Sequence, residues 1–348
     1  MTLAASGAIS LADLRTEYVG GSSSISLGDL YRGGSNIKTK EGDNPATNLA
    51  ASVPTSGTID LADFHGTAKG FKATIDSSTT NVDVDTLFGG DYDTDYPKVV
   101  DINSGVTIGG SGDEAIDIPS GLASTLTINN AGTVIGSGGA SAGAAGGHAI
   151  NCAVSGVTIN NTGQISGGGG AGNVGGVGGN GSSTTTTTSS RNDVYGGSTW
   201  RWTTGSWSGV GSWTHPGGST SKSFGGHTFQ RGNYAGSIGE AAYYVIIGNI
   251  VSTVSTSGGA GGSFGVGAGY NQSATNGTAG AAGGTNAGSG GAGSNGAALG
   301  TAAATSSAGA NGNVTNGAAG NAGGGAGAAV AGTSVTMNNT GTLHGAVA

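Results

Sequence analysis

Charge is the first thing this chain lacks. Asp, Glu, Lys and Arg make up 9% of its 348 residues, against about 25% in an ordinary soluble domain. With a net charge of −8, that dilution excludes a disordered chain solvated by its own charge. Five prolines, and no glycine at every third position, exclude collagen. A single cysteine, Cys152, excludes an intramolecular disulfide; in HAINCAVSGVTIN it alternates with Ile150 and Val154 and reads as a small buried hydrophobe. The longest apolar run, Ala241–Ile247, is too short to cross a bilayer, so the chain is not expected to be membrane-inserted. Its pI of about 4.8 leaves no basic face for nucleic acid. MTLAASGAIS has no basic segment followed by an apolar one, so no secretory signal is expected. The histidines, His65, His148, His215, His227 and His344, are scattered without metal-site spacing. No catalytic residue, metal or cofactor is expected, and the chain does not read as an enzyme.

What is present is glycine, 77 residues of it, about three times the usual share of about 7%. No Asp, Glu, Lys or Arg occurs in residues 118–190 or 241–348. Near the N-terminus one motif occurs three times: Ile9–Leu14 (ISLADL), Ile25–Leu30 (ISLGDL) and Ile59–Phe64 (IDLADF). Ser10, Ser26 and Asp60 suit helix N-caps, and Asp13, Asp29 and Asp63 follow three residues later, close to a capping box. Gly20, Gly33 and Gly66 suit the left-handed C-cap position. The pattern predicts three helices of roughly 6–9 residues, too short to stand alone. Leu11, Leu14 and Tyr18 share one face of the first, and Leu27, Leu30 and Tyr31 roughly one face of the second. Those faces form either a small self-contained head or a docking surface for another protein.

From Phe71 the chain changes to short alternating apolar runs: Phe71–Ile75, Val82–Phe88, Val99–Ile102, Val106–Ile108, Ala115–Ile118 and Leu122–Ile128. Turn-forming residues separate them, as in β-structure. A second repeat reads LTINNAGTVIGSGG from Leu126, VTINNTGQISGGGG from Val157 and VTMNNTGTLHG from Val335. Each unit predicts a strand, an Asn-Asn turn and a second short strand, stacked as coils of a β-solenoid or as small hairpins. Two glycine-rich tracts, about 136–180 and 257–332, fit either flexible linkers or packed polyglycine II helices; the near absence of charge and the closing repeat favour packing. The run Asp91–Asp95 alternates carboxylates as a calcium loop begins, but Tyr96 follows where glycine is needed, so a solvated acidic turn is expected.

All four tryptophans, Trp200, Trp202, Trp207 and Trp213, fall in one insert together with Tyr195. Such rings bury much area at little entropic cost. They form either the insert's own core or a platform for binding a surface.

The stretch SGAISLADLRTEYVGGSSSISLGDLYRGGSNI, residues 6–37, resembles a module at the start of tailed-bacteriophage virion proteins. The TINN units and glycine tracts resemble glycine-rich tail-fibre proteins and, more distantly, T-even-type fibre-tip adhesins. The resemblance implies a structural component of the virion, assembled in the host cytoplasm, in which the aromatic insert meets the host non-covalently. The implied order is a virion-docking module (1–70), a β-rich stem (71–180), the aromatic insert (181–248) and a glycine-rich distal region (249–348). Tyr195, Trp200, Trp202, Trp207 and Trp213 would then be receptor-binding residues, against a surface polysaccharide or an outer-membrane protein. Leu11, Leu14, Tyr18, Leu27, Leu30 and Tyr31 would dock on other virion proteins. A homotrimer is expected, because thin cores gain by interchain burial. The alternative is a purely structural part, such as a head fibre, neck appendage or fibre connector, with no receptor contact. The fold class expected is mainly β and irregular, with short N-terminal helices.

Overall fold

A computed structural model of the chain describes residues 3–39, 45–194, 199–204, 207–212, 221–224, 227–238, 241–333 and 335–347, with the backbone alone for those between 187 and 251. The fold is mostly β, as expected from the alternating runs. Its centre is a stack of three parallel sheets to which successive turns of the chain each add strands. The first tier is Phe71–Ile75, Thr79–Thr80 and Val82–Asp83; the second is Lys98–Ile102, Thr107–Gly109 and Ile116–Ile118. The third is Leu126–Asn130, Thr133–Ile135 and Ile150–Cys152. The fourth begins with Val157–Asn161 and Gln164–Ser166 but takes its third strand, Val330–Gly332, only after residues 167–329 have left and returned. Thr336–Asn339 and Thr342–His344 begin the last tier, and Val347 bridges Val330 to complete it. One chain therefore supplies all three walls of the stack.

Alternation explains these strands. Leu126–Asn130 and Val157–Asn161 bury every second residue, placing Leu126, Ile128, Val157 and Ile159 inside. Ile102, Ile108, Ile116, Val134, Ile150, Cys152 and Ile165 complete the same core. Identical motifs stack in register, Ile128 on Val100 and Ile159 on Ile128, so one face stays apolar from tier to tier.

Three expectations need correcting. Val82–Phe88 is not one strand: after Val82–Asp83 the chain turns into a helix, Val84–Phe88, because the Asp83 side chain accepts from the Asp85 N–H and caps it. The TINN units are not hairpins, since Leu126–Asn130 and Thr133–Ile135 lie in different sheets. Nor does the turn sit on the asparagines themselves: Asn129 and Asn130 stay in the strand, and the turn over Ala131 and Gly132 is held by Asn130, whose Oδ1 accepts from the Gly132 N–H at 3.1 Å.

The head has its own apolar core of Leu3, Ile9, Leu14, Tyr18, Leu30, Ile37, Ala50, Val53 and Phe64. All three motif copies form the expected caps: the N–H groups of Ser10, Ser26 and Asp60 donate to Asp13, Asp29 and Asp63 at 2.8, 2.8 and 2.9 Å. The first helix has the expected length and the other two are shorter. Leu11–Leu14 continues as a wide π-turn over Arg15–Val19, while Leu27–Leu30 and Leu61–Phe64 are single 3-10 turns. Gly20 closes the first with positive φ, whereas the second and third end at the extended residues Tyr31 and His65, with Gly33 and Gly66 taking positive φ beyond them.

The run Asp91–Asp95 is not a fully solvated turn. Asp91 is buried, and the ammonium of Lys98, only 1% exposed, donates to the carbonyl oxygens of Thr94 and Tyr96, both at 2.7 Å. Tyr96 ties this loop to the head: its hydroxyl accepts from the Lys38 N–H at 3.0 Å and donates to the Asn36 carbonyl at 2.7 Å.

Candidate functional site

Residues 167–180 leave the fourth tier and run beside segment 258–268. The N–H groups of Gly169, Gly172, Gly175 and Gly178 donate to the carbonyls of Ala268, Gly265, Gly262 and Gly259. Gly170, Gly176 and Gly179 donate instead to Thr301, Ser307 and Ala310, on another segment. The pattern repeats every third residue, so each segment bonds different neighbours on different sides. Segments 274–284, 288–299, 302–312 and 315–328 join in the same way. This satisfies backbone groups that would otherwise be costly to bury, and it does so without large side chains. Tyr270 fastens the bundle to the stack by laying its ring over Gly109, where an added Cβ would fall 2.1 Å from ring carbon Cγ.

At the far end of this bundle the chain leaves as a long ribbon. Gly181–Val194 pairs antiparallel with Ala241–Thr256, from Gly181 opposite Thr256 to Val194 opposite Tyr243. Its foot is held by a collar of asparagines. The Ser182 N–H donates to Asn313 Oδ1 at 2.8 Å, and the side-chain amides of Asn286 and Asn313 both donate to the Ser182 carbonyl at 2.9 Å. The Gly258 N–H donates to Asn180 Oδ1 at 3.2 Å, and Thr256 Oγ1 to the Thr285 carbonyl at 2.6 Å. Asn286 adopts φ 61°, in the left-handed region that asparagine tolerates. Thus Asn180, Asn286 and Asn313, which nothing in the sequence reading singles out, fix where the ribbon emerges. The available signal is an asparagine at each point where a glycine repeat turns over.

Within the ribbon, Thr199–Thr204 pairs with Trp207–Ser212, and the register sets Trp200 opposite Gly211, Trp202 opposite Gly209 and Trp207 opposite Thr204. Tyr195 and Trp213 lie outside the described residues. Of the six head residues expected to dock, Leu14, Tyr18 and Leu30 fill the head's own core. Tyr18 donates its hydroxyl to Thr67 Oγ1 at 2.5 Å and sets its ring edge-on to Phe64. Leu27 and Tyr31 are half-buried, and Leu11 is 42% exposed.

The other reactive groups have local duties. Cys152 is buried, donates to the Val154 carbonyl at 3.1 Å, and has its thiol pKa pushed up by burial. His148 Nδ1 accepts from the Ala328 N–H at 3.0 Å, and His344 Nδ1 lies 2.9 Å from Ser166 Oγ.

The fold is thus a sheet stack, a bundle without charged residues packed on it, and a ribbon gripped at its foot. A family model for the phage tail fibre adhesin Gp38 matches residues 70–254. The chain belongs to that family. The resemblance to phage fibre adhesins is thereby borne out, although the match begins beyond the ISLADL-type module that carried much of it. No curated protein matches the chain. Among solved structures, the gp37-gp38 adhesin tip complex of the bacteriophage S16 long tail fiber is similar at 18% identity, covering 84% of this chain and 88% of that one with a TM-score of 0.35.

Proposed function

We propose that this tail-fibre adhesin binds the host surface non-covalently through the ribbon that emerges from the asparagine collar. The observation that carries the reading is the collar itself: residues 167–329 fold back so that three asparagines converge on Ser182 and Gly258. Such a foot positions a binding segment at no ordering cost when the partner arrives. Tyr195, Trp200, Trp202, Trp207 and Trp213 are the proposed contacts, facing a surface polysaccharide or an outer-membrane protein. In this reading the glycine-rich segments are packed polyglycine II helices, supported by hydrogen bonds recurring every third residue. The three-walled stack is a β-solenoid, supported by its parallel in-register tiers.

Residues 1–70 would dock on another fibre protein. Leu11 remains the most accessible of the proposed docking side chains, with Leu27 and Tyr31 at its margin. The proposed limits 71–180, 181–248 and 249–348 stand for stem, insert and distal region, with 167–180 running in the bundle and 330–347 returning to the stack. Light scattering on the full-length chain tests the homotrimer: a monomer mass removes it.

The test of the main reading is adsorption. Alanine at Trp200, Trp202, Trp207 and Trp213, introduced together in the full-length protein, is expected to abolish adsorption of the phage while leaving the melting temperature of the stack unchanged. Normal adsorption by a folded variant sinks it, and points to a structural virion part instead.

A further inference from the structure

The stack is covered at one end and open at the other. At the first tier, Thr47–Asn48 pairs antiparallel with Phe71–Lys72, and Ala46 and Phe88 join the core there. At the last tier, Thr336–Asn339 and Thr342–His344 are the outermost strands of their sheets. Among the described residues nothing pairs with their far side. Ile159 and Ile165 are fully buried, but Met337 and Leu343, stacked on them in register, are only half-buried. The last apolar layer lacks its cover.

Two amide ladders reach this end with opposite polarity. On the outer face, Lys72 Nζ meets Asp101 Oδ2 at 2.5 Å, and Asn129 Nδ2 donates to Asp101 Oδ1 at 2.8 Å. Asn160 then donates to Asn129, and Asn338 to Asn160, each at 2.8 Å. A carboxylate only accepts, so Asp101 turns each amide N–H toward itself and leaves Asn338 Oδ1 pointing outward. On the inner face, Asn130 donates to Asn161 and Asn161 to Asn339, at 2.7 and 2.6 Å. That ladder delivers a donor, Asn339 Nδ2, which has only the Gly341 carbonyl at 3.3 Å. Residues 241–348 carry no Asp, Glu, Lys or Arg. An edge without charge, proline or bulge is a template for strand addition.

We propose that this last tier docks an extended, uncharged strand of a partner protein, running parallel to Thr336–Asn339 and placing adjacent amide side chains over Asn338 and Asn339. The outer amide gives its N–H to Asn338 Oδ1, and the inner one accepts from Asn339 Nδ2. This is a second protein contact, distinct from the head and the ribbon. A second copy of the chain fits poorly. A twofold axis joining two such ends reverses either the strand direction or the face, so neither ladder continues. A head-to-tail copy would set Thr74 and Ile75 of its first tier over Asn338 and Asn339, and Ile75 offers Asn339 Nδ2 no acceptor. A charged side chain at either register position would be desolvated with no counter-charge.

A labelled peptide, VTINNTGQIS, copies residues 157–166 and carries both amides in register. Titrated against the full-length chain in a fluorescence anisotropy assay, it is expected to bind saturably. Asn338→Leu should weaken that binding about three- to tenfold, the worth of one such hydrogen bond, and aspartate at both peptide asparagines should abolish it. Asn338 is exposed, and an unchanged melting temperature confirms that the variant folds. No saturable binding to the folded wild-type chain, or equal binding by Asn338→Leu, overturns the proposal. So does a concentration-dependent dimer that Asn338→Leu abolishes, which would give the edge to a second copy.

Discussion

Asn161 donates its side-chain amide to Oδ1 of Asn339 at 2.6 Å, joining residues 178 positions apart. The same side chain accepts from Asn130 at 2.7 Å, so one fully buried amide holds three tiers. Asn161→Ala leaves the buried Asn130 amide with only the Gln164 carbonyl at 3.1 Å, while the exposed Asn339 turns to water, at an expected cost of about 2 kcal/mol. Asn129→Ala breaks the half-buried outer ladder, where water replaces the lost partners, and should cost about 1 kcal/mol. Denaturant unfolding of the two variants checks the contrast. Equal losses would mean that burial does not govern these ladders.

The glycine bundle gives a sharper contrast. A Cβ at Gly175 would lie 1.9 Å from the Gly291 carbonyl oxygen, whereas at Gly325 the nearest atom is the Ala145 Cβ at 4.0 Å. Gly175→Ala forces two backbones apart and is expected to cost more than about 2 kcal/mol. Gly325→Ala should stay within about 0.5 kcal/mol. Amide hydrogen exchange across 258–268 would show the damage locally.

Tyr270 and Gly109 should be coupled. Gly109→Ala alone drives a methyl group into the Tyr270 ring, while in a Tyr270→Ala background that clash is gone. A double-mutant cycle is expected to return about 1–3 kcal/mol of coupling. Additive effects would show that the ring does not rest on that glycine.

Alkaline pH should act in two opposed stages. Burial, against the pull of Asp91, Asp95 and Asp93, lowers Lys98 from 10.5 to about 8, so between those values the unfolded chain holds a proton that the folded one has lost. Stability from this group therefore rises with pH across that window. Burial raises Tyr18 and Tyr92 from 10.0 to about 12. Their contribution is complete below pH 10 and is lost as pH climbs through 12. Melting temperatures measured from pH 7.5 to 12 should show the second stage in the wild type, and Lys98→Met should remove the first.

Much of this was legible where spacing is physical. The capping acids Asp13, Asp29 and Asp63 stand three residues beyond their caps because the helix geometry demands it. Alternation located Phe71–Ile75 to the residue, since both inner and outer positions obey it there. Alternation failed at Val82–Phe88, where one capping bond from Asp83 outweighs an apolar pattern too short to hold a strand. The asparagines of TINN split two roles: Asn129 stacks on its copy in the next tier, while Asn130 both stacks and holds the following turn through the Gly132 N–H. The collar of Asn180, Asn286 and Asn313 had no periodic signature, because its members come from three separate turns. For the tryptophans, sequence gives their concentration and the backbone gives their register, and the choice between core and contact rests with the adsorption experiment.

The detour of residues 167–329 through the middle of the fourth tier sets an order of events. Val330–Gly332 pairs with Ile150–Cys152, yet it leaves the ribosome only after the whole bundle and ribbon have been synthesised. Until then the tier has two walls, and the apolar interior beneath it stays wet. Contacts this distant in sequence form slowly, so closure of the stack is a late checkpoint on completeness. A chain cut anywhere within the bundle arrives at the virion with its core unsealed.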